Sequence, residues 1–327
     1  MEKWIFENWL SPGDIVMLTA AVRDLHRAYP GRFLTDVRTS CPDLWRHNPY
    51  LSPLAAKDAE VRTLRCHYPL IHRSNRAPYH FIHGFIEHLN DELELSIRAT
   101  EFKGDLYLTD EERARPSAVQ QRLGGPLPYW IIAAGGKYDF TLKWWHRSRW
   151  QEVVDRLEGR VQFVQVGETG HYHPPLRGVI DWRGKTSLRD LIHLVYHADG
   201  ILCPVTFLMH LAAAVPLPPG RSRLRGCVVV AGGREPAHWE QYPGHQFHHT
   251  IGQLTCCADG GCWRSRTVPL GDGSELDQPG ALCVDVSQTG LARCMDMIAA
   301  SDIAASVLRS CFLSISQPTL EPALPLK

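Results

Sequence analysis

"ILCPVTFLMHLAAAVP", residues 201–216, is the stretch on which the fold turns. With Gly200 before it, "GILCP" is a short apolar run of strand character. "FLMHLAAAV" (207–215) follows after two residues and has the composition of a buried helix. A strand passing almost directly into a buried helix is the unit from which parallel, doubly wound sheets are made. One titratable ring, His210, interrupts the apolar helix. A lone histidine there reads as a hydrogen-bonded core residue. It also lies about one turn from the helix start, within reach of an anion held by free N–H groups and the helix dipole. The surroundings decide between these readings.

The alternation continues in both directions. "YWIIAAGG" (129–136) is a strand ending in glycines, "SRWQEVVDRLEG" (148–159) an amphipathic helix, "VQFVQVG" (161–167) a strand, and "SLRDLIHLVYHAD" (187–199) a helix. "GCVVVAGG" (226–233) adds a strand after the central helix, and "MDMIAASDIAASVLRSCF" (295–312) a final helix. The first half begins with a helix in "PGDIVMLTAAVRDLHRAYPG" (12–31), where Ile15, Leu18, Val22 and Leu25 recur at helical spacing. "RFLTDVRT" (32–39) is a strand, "RAPYHFIHGFIEHLNDEL" (76–93) a helix, and "LELSI" (93–97) a strand. The Pro- and Gly-containing stretch "RARPSAVQQRLGGPLP" (113–128) reads as a linker. The expectation is an α/β chain with two Rossmann-like parallel-sheet domains, 1–125 and 126–327, facing a cleft at the carboxyl ends of their strands.

Composition narrows the function classes. The chain has 327 residues, with 35 Lys+Arg against 35 Asp+Glu. This balance leaves no electrostatic footprint for nucleic acid. No run approaches the roughly 18 apolar residues of a membrane span. The start, "MEKWIFENWL", does not have the form of a signal peptide, so a cytoplasmic protein with reduced thiols is expected. Of the 10 cysteines, Cys256, Cys257, Cys262, Cys283 and Cys294 fall close together in sequence. That grouping, beside the histidines of "GHQFHHT", reads as a structural zinc or iron site, or as unliganded reduced thiols.

Several residues have chemistry to offer. Asp14, after a Ser-Pro-Gly turn, is either a helix cap or a general base on a glycine-hinged loop. "AAGGKYDFTLKWWHRSRW" (133–150) brings glycines, Lys137, Thr141 and Lys143 to a strand-to-helix turn. Such a turn suits a bound phosphate, although neither a Walker nor a dinucleotide fingerprint is present. Glu168, at the end of a strand, is placed to accept from ribose hydroxyls.

In order and spacing these pieces resemble glycosyltransferase family 9, the ADP-heptose-dependent heptosyltransferases, especially the branch of bacterial autotransporter heptosyltransferases. The resemblance rests on "GDIVMLTAAVRDLHRAYPG", "GGKYDFTLKWW", "GKTSLRDLIHLVYHADGILCPVTFLMHLAAAV" and "RCMDMI" (293–298). It implies a GT-B fold and inverting transfer of a heptose from ADP-heptose to a hydroxyl of a protein, glycan or small molecule, with no catalytic metal. Asp14 of the Gly13-Asp14 pair would be the base. Lys143, with Thr141 and Gly136 nearby, would bind the diphosphate, and Glu168 the ribose. The family's Asp-Thr-Gly-x-x-His segment falls on Val205, Thr206, Phe207 and His210. Val205 stands where the family has Asp, and Phe207 where it has Gly. Phe207 puts bulk where backbone would approach the donor, so a nucleotide sugar other than ADP-heptose is a second reading. A non-catalytic, metal-stabilised scaffold, as a subunit of a homo-oligomer, is a third. Cys257, Cys262, Cys283 and Cys294 fit the branch's cysteine-rich insertion, at about 250–295, and by that resemblance would hold a structural iron or zinc.

Overall fold

The computed structural model describes residues 1–68, 73–125, 127–221 and 224–315. It opens with β1 (Glu2–Asn8), α1 (Pro12–Ala28), β2 (Phe33–Thr39) and β3 (Val61–Arg65). The three strands form a parallel sheet in the order β2-β1-β3. Ser11 is the N-cap of α1 and Pro12 its first residue, where a missing N–H costs nothing. The sequence pattern assigns α1 one apolar face, yet the helix is buried from Ile15 through Leu25, including Arg23 and Asp24. Those two charges pair bidentately at 2.9 and 3.0 Å. Arg23 also donates to the carbonyls of Glu101 and Lys103, and the Thr100 hydroxyl donates to Asp24. The buried charges are therefore compensated, and they tie the 100–103 segment to α1.

α2 (Ile82–Leu93) follows, and Glu94 ends it at φ 50°. The strand expected over 93–97 does not form. The Asn90 side chain bonds both the N–H (2.7 Å) and the C=O (3.0 Å) of Ile97, so this backbone needs no strand partner. The expected linker is ordered, with α3 (Asp110–Ala114) and α4 (Ala118–Leu123) each started by a capping box. Pro126 of that stretch lies outside the described residues.

The second sheet is wholly parallel. Its chain runs β4 (Trp130–Ile132), α5 (Arg147–Arg156), β5 (Phe163–Gln165), β6 (Ile180–Asp181), α6 (Leu188–His197), β7 (Gly200–Pro204), α7 (Phe207–Ala214), β8 (Gly226–Gly232), α8 (Ala237–Glu240) and β9 (His245–His249). The expected final helix is split into α9 (Arg293–Asp296) and α10 (Ala300–Ile315). Strand order is β6-β5-β4-β7-β8-β9, the doubly wound order 3-2-1-4-5-6 counted within this sheet. Its order reverses between β4 and β7. In the first sheet the chain moves from one side of β1 to the other, so β1 marks the equivalent point. Ligands bind at such switch points, beyond the carboxyl ends of the strands.

One apolar core runs through both halves, from Phe6, Ile15 and Phe85 to Ile131, Ile201 and Met209. A second, built on Trp145, Trp150 and Ile303, fills the other face of the six-stranded sheet. Among the described residues no helix is long and apolar enough to cross a membrane.

Candidate functional site

A cleft of about 790 Å³ opens at the switch points. The loop after β1 supplies Ser11, and the first turn of α1 supplies Gly13 and Asp14. The turn after β4 supplies Gly136, Lys137 and Lys143, the loop after β5 supplies Glu168, and the N-cap and first turn of α7 supply Thr206, Phe207 and His210. Lys137 Nζ donates across the cleft to Ser11 Oγ at 3.0 Å.

Asp14 sits in the first turn of α1. Burial raises its carboxyl above the usual aspartate range. A hydrogen bond from Tyr68, the backbone N–H groups of Asp14 and Ser11, and the charge of Lys143 oppose that rise. The carboxylate stands in the first turn of α1, where an acid suits the helix dipole, and it lines the cleft. Gly13 has a separate reason to be glycine. A Cβ there would lie 2.9 Å from Cδ2 and 3.1 Å from Nε2 of His210. The His210 ring is thus packed on the start of α1.

His210 is 4% exposed. Its Nδ1 is 2.5 Å from the Tyr242 hydroxyl, and its Nε2 lies 3.9 Å from Glu240. Burial, with His80 and Lys143 nearby, holds its pKa well below the usual histidine range. Burial therefore favours the neutral ring.

Lys143 Nζ lies 2.8 Å from Glu235 Oε1. The Arg234 guanidinium contacts the same oxygen. Burial works to raise the Glu235 carboxyl, but Arg234 and Lys143 overcome it and hold the group ionised. Among the described residues no Lys or Arg pairs with Glu240. Burial, with repulsion from Glu235, pushes its pKa up to about 8. Two buried carboxyls thus line one wall of the cleft with opposite charge states at neutral pH.

Two of the residues expected near the diphosphate, Gly136 and Thr141, are engaged with other parts of the chain. The Gly136 N–H donates to the Tyr172 carbonyl at 2.9 Å, so its amide is occupied. The adjacent Gly135 lies so close to Tyr172 that a Cβ there would meet the carbonyl oxygen at 1.9 Å. The glycine pair serves packing as well as the cleft. Thr141 is 3% exposed and faces away, its hydroxyl accepting from the Thr267 backbone at 2.9 Å. Glu168 stands at the cleft rim with His171 at 3.4 Å. Thr206 is the N-cap of α7 without a side-chain cap bond, which leaves the helix's first N–H groups facing the cleft.

The sequence profile of glycosyltransferase family 9 (heptosyltransferase) matches residues 71–219. That match spans a little under half of the chain, and over those residues the chain is similar to glycosyltransferase family 9. Its fold is similar to that of a family 9 glycosyl transferase from Veillonella parvula, with a TM-score of 0.65 at 13% identity over 96% of this chain and 98% of that one. It is similar also to the iron-containing dodecameric glycosyltransferase TibC of enterotoxigenic E. coli, with a TM-score of 0.62 at 16% identity over 95% and 77% of the two chains. The E. coli ADP-heptose LPS heptosyltransferase II gives 0.62 at 12% identity over 96% and 100%. At these identities the likeness is one of fold, and the GT-B arrangement of two Rossmann-like halves about a cleft is the fold observed. No curated protein matches the sequence.

Both departures from the family 9 pattern are visible in the site. Val205 is buried at 2% exposure, while Phe207 is half-buried and lines the cleft. The expected metal site is not assembled. Among the described residues no three ligand-type side chains are grouped to hold an ion. The Cys257 thiol points to the carbonyls of Thr250 and Leu254, and that of Cys283 to the carbonyl of Asp285. Even so, three of the cysteines meet at Gly233: a Cβ there would lie 3.1 Å from Cys257 Sγ and 3.3 Å from Cys294 Cβ, and the Cys262 N–H donates to its carbonyl.

Tyr68, Arg234, Glu235 and Glu240 were not apparent from sequence. "GGREPAHWE" (232–240) does repeat the signal of 135–143, a glycine pair after a strand followed by charged residues. Tyr68 has no comparable sequence signal. It is seated by Gly84 on α2, where a Cβ would meet Tyr68 Cβ at 2.5 Å.

Proposed function

We propose that the chain is an inverting glycosyltransferase that moves a heptose from ADP-heptose to the hydroxyl of a protein, a saccharide or a small molecule. The observation that carries this reading is the meeting of Asp14 from one half and Lys143 from the other in one cleft at the two switch points. The Asp14 carboxylate takes the acceptor proton as the acceptor oxygen bonds to the anomeric carbon. The bond from that carbon to the β-phosphate oxygen breaks, and ADP leaves with the electron pair. Lys143 and the first N–H groups of α7 face the charge that develops on the leaving group. Lys143 must give up part of its contact with Glu235 to do so. His210, its neutral ring favoured by burial, packs and hydrogen-bonds rather than supplying charge.

ADP release, measured over a panel of nucleotide sugars, tests the reading. Turnover with ADP-heptose is expected, with kcat reduced about 10²- to 10⁴-fold in Asp14→Asn and the fold retained. Near-normal turnover in that variant would sink the base assignment. Phe207 at the start of α7 supports the second reading, a donor carrying another sugar. Faster ADP or other nucleotide release with a non-heptose donor would favour it.

The gathering of cysteines at Gly233 supports a structural metal reached by rotation of Cys257 and Cys283 away from their carbonyl partners. Elemental analysis of protein purified without added metal should then find iron or zinc near one per chain. Metal-free protein of unchanged Tm would remove this proposal.

A further inference from the structure

The cleft wall made by "GREPAHWE" (233–240) has a feature that neither base catalysis nor phosphate binding uses. Glu235 is 3% exposed and Glu240 7%, yet both line the cleft. One oxygen of each, Oε2, is buried and has no hydrogen-bond partner among the described residues. Buried carboxyl oxygens without donors are costly, and in native proteins such atoms usually meet a ligand or a water. Their position narrows what the ligand is. The other oxygen of Glu235 is held by Lys143, on the phosphate side of the cleft. Glu240 Oε1 lies 3.9 Å from Nε2 of His210, whose ring packs on Gly13 beside Asp14, on the acceptor side. A group between the leaving phosphate and the attacking hydroxyl can only be the transferred sugar.

We infer that Glu235 and Glu240 form the subsite that reads the hydroxyls of the donor sugar, each turning its unpaired Oε2 toward a hydroxyl as the sugar enters. This rests on the glycosyltransferase reading above. The chemistry fits a polyol. Glu235, ionised beside Lys143 and Arg234, is an acceptor only. Glu240 accepts at one oxygen and, when protonated, also donates, matching a hydroxyl that does both. A site built to bond a substrate hydroxyl rejects an analogue that lacks it, because its own polar groups are then left unpaired. Sugar selectivity is therefore assigned to this wall.

The test compares ADP with the intact sugar nucleotide in the wild-type chain and in Glu240→Leu. Leucine has similar bulk and removes a buried carboxyl with no Lys or Arg partner among the described residues, so the variant is expected to fold. Calorimetry should find ADP bound within about threefold of wild type, but ADP-heptose weakened by at least about tenfold. Deoxy or fluoro donors probe the same contact from the ligand side. One of them should lower wild-type kcat/KM by about 10²-fold or more, and that penalty should shrink to a few-fold in Glu240→Leu. Glu240→Gln serves as a second, milder variant and should give a partial loss of the same kind. Equal weakening of ADP and ADP-heptose would make the residue a structural support and overturn the inference. An unchanged deoxy penalty in the variants would overturn it as well. Wild-type protein that binds no sugar nucleotide more tightly than the bare nucleotide, and transfers none, would instead fail the glycosyltransferase reading and this inference with it.

Discussion

At the scale of single residues, the site depends on close approaches that leave no room for error. Gly13→Ala places a methyl 2.9 Å from a ring that is buried and held by Tyr242, so neither partner can move away cheaply. The expected cost is about 1–3 kcal/mol of stability together with a fall in kcat, read by denaturant unfolding and steady-state assay. Unchanged values in both would show that the ring yields. Glu240 gives a signed pH effect. Its carboxyl sits near 8 in the folded chain against an ordinary 4.5. The contribution of the neutral acid is therefore complete below pH 4.5 and is lost as pH rises through 8. The Tm of the wild-type chain minus that of Glu240→Gln should be most favourable near pH 5 and fall by a few degrees toward pH 8.5. A flat difference across that range would contradict the raised pKa. Asp14, Lys143 and His210 were legible in the sequence because each lies beside a turn signal that places it at a strand end or helix start. Glu235, Glu240 and Tyr68 matter through what the fold brings near them, and no local pattern encodes that. Nor does any local pattern show that the amide of Gly136 is taken by Tyr172, which lies in a different loop.

At the scale of elements, helices were easier to read than strands. α1, α5, α6 and α7 appear close to where their periodicity placed them. β1, β3, β6 and β9 were not recognised. β3 "VRTLR" and β9 "HQFHH" are polar edge strands without the apolar run of a central strand, and β6 has two residues. β4 ends at Ile132 rather than running to the glycines, because Gly135 takes φ 141° to pass beneath Tyr172. The cysteine-rich insertion has a role that its composition conceals. The Leu142 N–H donates to Ser265 at 3.2 Å, the Thr267 N–H donates to the Thr141 hydroxyl, and buried Arg266 reaches toward Asp139 at 3.8 Å while pairing with Asp272 and Asp277. The insertion thus clamps the turn that carries Lys143. Thr141→Val removes the acceptor for a buried N–H and should destabilise the chain by about 1–3 kcal/mol. If the clamp positions Lys143, donor KM should rise several-fold while acceptor KM changes little. A loss of stability with donor KM unchanged would reduce the contact to a purely structural one.

At the scale of the molecule, the strand alternation made the α/β class legible, and the doubly wound order explains why one cleft collects residues from distant parts of the chain. The degree of separation between the halves was not legible, because it depends on what covers α1. That helix is buried from Ile15 through Leu25, packs against α7, and belongs to a core that includes strands of both sheets. Polar contacts add to this junction. Asn75 bonds the backbone of Gly261 in both directions and accepts from the Trp263 indole, Phe81 donates to the Trp239 carbonyl, and Arg189 pairs with Glu112. The boundary proposed at 125/126 falls between α4 and β4, and thus between sheets rather than between cores. Separating the halves would expose the apolar surface of α1 and α7 to water, a cost that grows at roughly 25 cal/mol per Å². The halves should therefore unfold together. Calorimetry is expected to give one transition whose calorimetric and van't Hoff enthalpies agree. A saturating nucleotide, bound in the cleft by both halves, should move that transition upward as a unit. Two resolved transitions, with only the later one shifted by nucleotide, would mean that the shared core does not couple the halves. Donor binding would then belong to the second sheet alone.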